Sequence, residues 1–313
     1  SINQAYMSII LFPGQGSQYQ GMAIDFDKKF KISKEIFEEI EDSTKINIRK
    51  IISENIDNKL NQTNFTQIAI FAVSIVIYKT LLDQFGFEKI RPEIVLGHSL
   101  GEYSALVANN ALTLNDASNL IKIRGELMNS AIKPNISGMA AVIGKDAKFI
   151  DEIIDKNKLN LEIANDNSPV QVVVSGLIED INLAEGCFIS EGVKRYIKLN
   201  VSAAFHSKYM LEAQNKLNLE IEKIPFSSCK IPIISNYSAK LSTNLDDIIP
   251  SLKKQMSSRV RWTEGVTLLE NSNVVDIIEI GPNKILSGLV SRISKKFDIK
   301  SIDKVEDLEK LNY

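Results

Sequence analysis

The stretch 94–103, Ile-Val-Leu-Gly-His-Ser-Leu-Gly-Glu-Tyr, constrains the fold of this 313-residue chain more than any other. Residues 94–97 form a short apolar run of the kind that makes a buried strand, and 100–109 read as the helix that follows it. Only His98-Ser99, the middle of Gly97-His98-Ser99-Leu100-Gly101, separates the two, so the turn between them is very sharp. Two glycines let strand and helix pass close together. The serine between them is then held in a strained backbone conformation with its hydroxyl raised above the sheet. Backbone N–H groups at the head of the helix point at any oxyanion formed beside that hydroxyl. A G-x-S-x-G pentapeptide also arises by chance, but here it stands in the strand–turn–helix setting that a nucleophile requires.

The rest of the chain repeats the alternation. Residues 9–12 read as a buried strand ending at Pro13-Gly14. The apolar segment 65–85 is too long for a buried strand and has no Gly or Pro before Gly86, which predicts a core helix. Thr113 with Asp116 resembles a capping box for a helix running to about Ala131. Strand-like runs at 139–143, 161–164, 170–175 and 193–199 interleave with helical patterns at 147–156 and 181–190. That order, βαββαβ, predicts a ferredoxin-like unit at 133–199 inserted into a larger body made of 7–132 and 200–313. The larger body resumes with a helix near 207–223, a strand at 231–235, a helix near 246–257 and a strand at 274–280. Strands alternating with helices predict an α/β fold with a mostly parallel sheet covered on both faces.

Composition excludes several classes. With 37 basic and 39 acidic residues the net charge is −2, which gives no general attraction to nucleic acid or to an anionic membrane. The apolar run 68–78 is shorter than the roughly 20 residues that span a bilayer. Residues 1–6 lack the basic and apolar regions of a secretory signal, and Met7 could be the natural start. Cys187 and Cys229 make neither a disulfide framework nor a zinc site. A cytoplasmic protein with no metal and no bound cofactor is expected.

A serine nucleophile needs a base, and the chain has two histidines, His98 and His206. The turn directs His98 away from the hydroxyl beside it, which leaves His206, in Ala-Ala-Phe-His-Ser after the insert, as the base. Arg124 falls on the apolar stripe of the helix that starts after Thr113, together with Ala117, Leu120, Ile121 and Met128. A buried guanidinium needs an anion. Two readings stay open on spacing alone: a structural ion pair with a core carboxylate, or a fork that accepts a substrate carboxylate in two parallel hydrogen bonds. The loop Phe12-Pro13-Gly14-Gln15-Gly16-Ser17-Gln18 is glycine-rich, but Tyr19 stands where a dinucleotide fingerprint requires glycine and there is no Walker lysine. It suits a backbone N–H presented to an oxyanion.

Together these segments resemble the malonyl-CoA:acyl carrier protein transacylases and the related acyltransferase domains of polyketide and fatty acid synthases. The resemblance runs from the loop 12–18 to Glu279-Ile280-Gly281-Pro282, and the segment 97–103 matches the family pattern at every position. It implies an α/β-hydrolase-like core, with Ser99 as nucleophile and His206 as base. It implies Gln15 and Leu100 as donors of the oxyanion-hole N–H groups, and Arg124 as the partner of the malonyl carboxylate. Gln255 resembles the glutamine that takes the place of the triad acid in orienting the histidine. Asn165 and Asn167 fall in an asparagine-rich turn near the cleft, and Leu100 and Phe205 are similar to the malonyl-selective branch. The implied substrates are malonyl-CoA and acyl carrier protein, in fatty acid biosynthesis, with the chain acting as a monomer. The sequence departs from the family at Ile68, Arg259 and Asn283, which bears on loop geometry and leaves the chemistry intact.

Two other readings compete. An esterase or thioesterase of the ordinary α/β-hydrolase type shares the turn, but usually places its histidine near the C-terminus, and none follows His206. A catalytically dead carrier-protein-binding scaffold would not need Ser99, His206 and Arg124 together.

Overall fold

The two parallel neighbours β1 (Ser8–Phe12) and β2 (Pro92–Gly97) form the centre of the molecule, with Phe12 paired to Gly97 at their C-terminal ends. In a computed structural model that describes residues 7–311, they belong to a six-stranded sheet. The segment 1–6, where the sequence shows no secretory signal, lies outside the described residues, as do Asn312 and Tyr313. All five residues of β1 are buried, as a strand covered on both faces must be. Ile10 and Phe12 point into one core while Ile9 and Leu11 point into the other, the period-two alternation of a strand.

The remaining strands follow as β3 (Ser137–Ile143), β4 (Glu162–Ser168), β5 (Gln171–Leu177), β6 (Arg195–Lys198), β7 (Ile233–Ile234), β8 (Leu241–Ser242), β9 (Val260–Arg261), β10 (Asp276–Ile280) and β11 (Asp298–Ile302). The large sheet has the order β11-β10-β1-β2-β7-β8 and is parallel except for the β7–β8 hairpin at its edge. The helix Thr63–Phe85 lies in the main core against the helices Lys31–Thr44 and Leu114–Ser130. At 23 residues it is longer than the apolar run marked in the sequence, and it is long and apolar enough to cross a membrane. Most of it, 83% of the apolar window, is instead buried by the protein itself. Thr113 caps the helix Leu114–Ser130 as expected, its Oγ1 accepting from the Asp116 N–H at 3.1 Å.

The second sheet has the order β6-β3-β5-β4-β9. Its first four strands are antiparallel with the connectivity of a ferredoxin-like unit, and the helices Ala147–Lys156 and Ile178–Ser190 join them. The strand β9, from the later part of the chain, joins its edge in parallel at Asn165 and Asp166. This corrects one expectation: Asn165 and Asn167 lie in the strand β4 and not in a turn. Asn and Asp favour turns locally. Pairing with β5 on one side and β9 on the other overrides that preference, and the misfit appears as two register shifts along β4. The strand expected at 231–235 is reduced to Ile233–Ile234, and the helices Lys31–Thr44 and Ile48–Glu54 and the strand β11 had no counterpart in the sequence reading. Asn283 adopts φ 68°, the left-handed conformation that asparagine tolerates in place of glycine.

Candidate active site

Three backbone segments meet at the C-terminal ends of β1 and β2, and glycine is what lets them. A Cβ on Gly97 would stand 1.9 Å from the Gly101 carbonyl oxygen, one on Gly101 2.0 Å from that of Phe12, and one on Gly14 2.4 Å from that of His98. The close approach forces Ser99, at the apex, to φ 54°. Its Oγ lies 2.7 Å from Nε2 of His206, whose backbone also has φ 54°. Nδ1 of the same ring lies 2.9 Å from the main-chain carbonyl of Gln255. A carbonyl can only accept, so Nδ1 carries the proton and Nε2 is free to accept from the serine hydroxyl. Burial first, and then the charge of Arg124, push the imidazole down to about 3, so His206 is neutral and able to take a proton.

The contact to His206 comes from the Gln255 main chain, and the Gln255 side chain does other work. Its Oε1 accepts from Arg124 Nη2 at 2.9 Å, and its Nε2 donates to the Ser99 carbonyl at 2.8 Å. Arg124 is 1% exposed and lies behind the serine, with Nη2 3.2 Å from Ser99 Oγ and Nη1 donating to Gln67 Oε1 at 2.7 Å. Its hydrogen-bond partners are all neutral, the Tyr103 ring covers it at 5.3 Å, and its Nε has no partner among the described residues. Among the described residues no carboxylate lies within salt-bridge distance of it, and the buried Glu102 favours its charge only from farther off.

A cleft of about 300 Å³ opens in front of Ser99 and His206. The loop 13–17, including Gln15, lines it together with Asn165, Asn167, Phe205, Met128 and Met139. Asn167 Oδ1 lies 2.7 Å from His98 Nε2, so His98 is turned away from the Ser99 hydroxyl and toward the small sheet. Leu100 buries its side chain in the core, and neither its N–H nor that of Gln15 is taken by an acceptor among the described residues. Preorganised amides beside a serine hydroxyl, with a neutral imidazole behind it, can support attack on a carbonyl.

The model of the acyl transferase domain matches residues 9–310 of this chain. The chain belongs to the acyl transferase family. It is 37% identical over 302 residues to the malonyl CoA-acyl carrier protein transacylase of Bacillus subtilis, covering 96% of this chain and 94% of that one. The crystal structure of an acyl carrier protein S-malonyltransferase from Vibrio cholerae superposes with a TM-score of 0.92 at 32% identity, covering 98% of this chain and all of that one. A malonyl-transacylase solved in complex with its type II polyketide acyl-carrier protein gives a TM-score of 0.92 at 31% identity, over 98% of this chain and 99% of that one.

Within this acyl transferase fold, three residues at the site were not singled out in the sequence as functional. Gln67 bridges Arg124 and Met128, its Nε2 lying 3.1 Å from the Met128 sulfur. Glu102 is fully buried, and burial raises its carboxyl to about 7. Asn236 touches both ends of the Ser99 turn. Glu102 stood inside the matched segment 97–103 and could have been flagged as a charge on a buried helix. Nothing in the sequence marks Asn236, which lies 137 positions from Ser99 and arrives there through the β2–β7 pairing.

Proposed function

We propose that this chain transfers a malonyl group from malonyl-CoA to the phosphopantetheine thiol of acyl carrier protein, through an ester on Ser99. The observation that carries the reading is a buried cation, with only neutral hydrogen-bond partners among the described residues, placed 3.2 Å from a serine hydroxyl that is itself paired to a neutral histidine. Malonate supplies the missing anion. The names and structures of the relatives agree with that substrate and that partner.

The cycle has two halves. The Ser99 hydroxyl gives its proton to His206 Nε2 as its oxygen attacks the thioester carbonyl. The amides of Gln15 and Leu100 hold the oxyanion, each such donor contributing about 3–4 kcal/mol of transition-state stabilisation. The C–S bond then breaks, and the departing thiolate of coenzyme A takes the proton back from His206. In the second half the carrier thiol gives its proton to His206, its sulfur attacks the Ser99 ester, and the serine oxygen leaves with that proton. Acyl transfer between thioester and ester moves no electrons to a redox group and needs no cofactor. In the malonyl ester the carboxylate pairs with Arg124, which offsets one of the influences holding His206 at low pKa. Phe205, Asn165 and Asn167 border the acyl group and the pantetheine arm.

The same reading divides the chain into a catalytic core, 7–132 and 200–313, and a small subdomain, 133–199, whose sheet forms one wall of the cleft. One chain supplies every group named above, which suits action as a monomer. The free thiols Cys187 and Cys229 suit the cytoplasm. The test is covalent. Incubation with malonyl-CoA alone should add one malonyl mass to the protein, on Ser99, and Ser99→Ala should abolish it. Labelling elsewhere, or undiminished labelling of the variant, sinks the reading.

A further inference from the structure

We propose that Asn236 is a positioning residue for the nucleophile: its carboxamide clamps the turn that carries Ser99, and Glu102 fixes the orientation of that clamp. The inference rests on the reading that Ser99 is acylated.

A side-chain-bearing residue at φ 54° persists only where its surroundings over-determine it. Here the determination is traceable. Asn236 Oδ1 accepts from the Ser99 N–H at 2.7 Å, and its Nδ2 donates to the Gly97 carbonyl at 2.7 Å. One planar group thus bridges the two ends of Gly97-His98-Ser99. The neighbouring amides of the turn find backbone partners, His98 N–H on the Phe12 carbonyl and Gly101 N–H on the His98 carbonyl. The Ser99 amide depends on a side chain.

Two further contacts hold the clamp itself. The Asn236 N–H donates to Glu102 Oε1 at 2.8 Å, and Gln255 Nε2, already on the Ser99 carbonyl, reaches Asn236 Oδ1 at 3.3 Å. Asn236, Glu102 and Gln255 are all buried, so each lost contact leaves a polar group without a partner. Asn236 reaches the turn because it follows β7, which lies beside β2 in the large sheet, so both strands end at the same place.

The chemistry of the clamp is specific. It needs an acceptor toward Ser99 N–H and a donor toward the Gly97 carbonyl, which a carboxamide supplies and a carboxylate does not. Because the clamp consumes the Ser99 amide, the next amide along, that of Leu100, is the one left for an oxyanion.

The experiment measures the rate of malonyl-ester formation from malonyl-CoA by intact mass, for wild type, Asn236→Ala and Asn236→Asp. A misdirected Ser99 Oγ should slow acylation by Asn236→Ala about 100-fold. The half-saturating malonyl-CoA concentration should stay within about three-fold, since the binding groups are untouched. Asn236→Asp keeps the shape and decides the matter if the alanine variant does not fold. As a carboxylate it sets an oxygen against the Gly97 carbonyl, and only when protonated can it donate there. Its rate, taken as a ratio to wild type, should therefore rise as pH falls. The ratio removes titrations common to both proteins, those of Glu102, whose carboxyl accepts from the Asn236 N–H, and of His206, which lies beyond on the Ser99 hydroxyl. Acylation by the Asp variant close to wild type with a flat ratio would overturn the proposal. Failure of wild type to take up malonyl at all would overturn the reading beneath it instead.

Discussion

The Nδ1–H of His206 donates to the main-chain carbonyl of Gln255 at 2.9 Å, so a neutral dipole, and not a carboxylate, stands behind the imidazole. A carbonyl fixes the tautomer as well as a carboxylate does, but it stabilises an imidazolium far less. With burial and Arg124 also opposing the charge, the ring is held down at about 3. The neutral, accepting form of His206 is thereby the resting form.

The pH profile should show it. The value of kcat/KM for malonyl-CoA reports the free enzyme, and it should have no acid limb near 6.5, the ordinary value for histidine. The limb belongs near about 3, where folding permits its measurement. The linkage has a definite sign. A histidine whose folded value lies below its unfolded value binds its proton first in the unfolded chain. Its contribution to stability is present above 6.5 and is lost as pH falls from there toward 3. An acid limb in kcat/KM centred near 6.5 would show that His206 is not held neutral.

Glycine 101 offers a test of the turn. A methyl group there would meet the Phe12 carbonyl oxygen at 2.0 Å, a contact with backbone that no side-chain rotation relieves. Gly101→Ala should cost about 3 kcal/mol or more in stability, at the upper end for overpacking, and should abolish acylation. Urea denaturation checks the first and ester formation the second. A folded, active alanine variant would mean that β1 and the helix Gly101–Ala108 are free to separate.

Much of this site is legible in the sequence, because its signals are local. Gly97, Ser99 and Gly101 sit within five residues, and Arg124 betrays itself by falling on an apolar stripe. His206 came from scarcity, since only one other histidine exists. What was not legible is what the tertiary fold assembles. The Gln255 side chain reaches Arg124 and Ser99, 131 and 156 positions away, while its carbonyl takes the histidine. Asn165 and Asn167 read as a turn because local propensity cannot register an edge strand, β9, that arrives from about 95 positions downstream. Asn236 is invisible for the same reason.

Glu279 carries a pH-dependent part of the fold that supports the cleft. Its carboxyl accepts from the N–H groups of Leu286 and Ser287, and from Ser287 Oγ at 2.7 Å, at the start of the helix Ile285–Ile293. That helix places Leu286 and Leu289 on the cleft wall. Burial nonetheless raises the carboxyl to about 7 from its ordinary 4.5. A raised folded value means that the folded chain holds the proton more tightly. The stability it contributes is full below 4.5 and is lost as pH rises through about 7. Glu279→Gln should remove that loss, so the melting temperature of wild type relative to the variant should fall as pH rises through about 7. A difference that stays constant with pH would mean that the group titrates normally.

Under the proposed function, Arg124 separates transfer of malonate from transfer of acyl groups that carry no carboxylate. Its guanidinium lies behind Ser99 among Gln67, Gln255 and Tyr103, all neutral, with no hydrogen-bond partner for Nε among the described residues. A bidentate pair between this fork and a carboxylate in a dry site contributes on the order of 2–5 kcal/mol when one partner is cut. Arg124→Ala should therefore lower kcat/KM for malonyl-CoA by about 30-fold or more. Acetyl-CoA brings no carboxylate, so for it the guanidinium is only a buried charge that makes His206 less basic. The variant should transfer acetyl no worse than wild type, and the acid limb of its pH profile should move upward once that charge is gone. A purely structural cation predicts something different, equal losses on both substrates together with a lower melting temperature. Two specificity constants and one melting curve decide between them, and equal losses would show that Arg124 holds the fold without reading the acyl group.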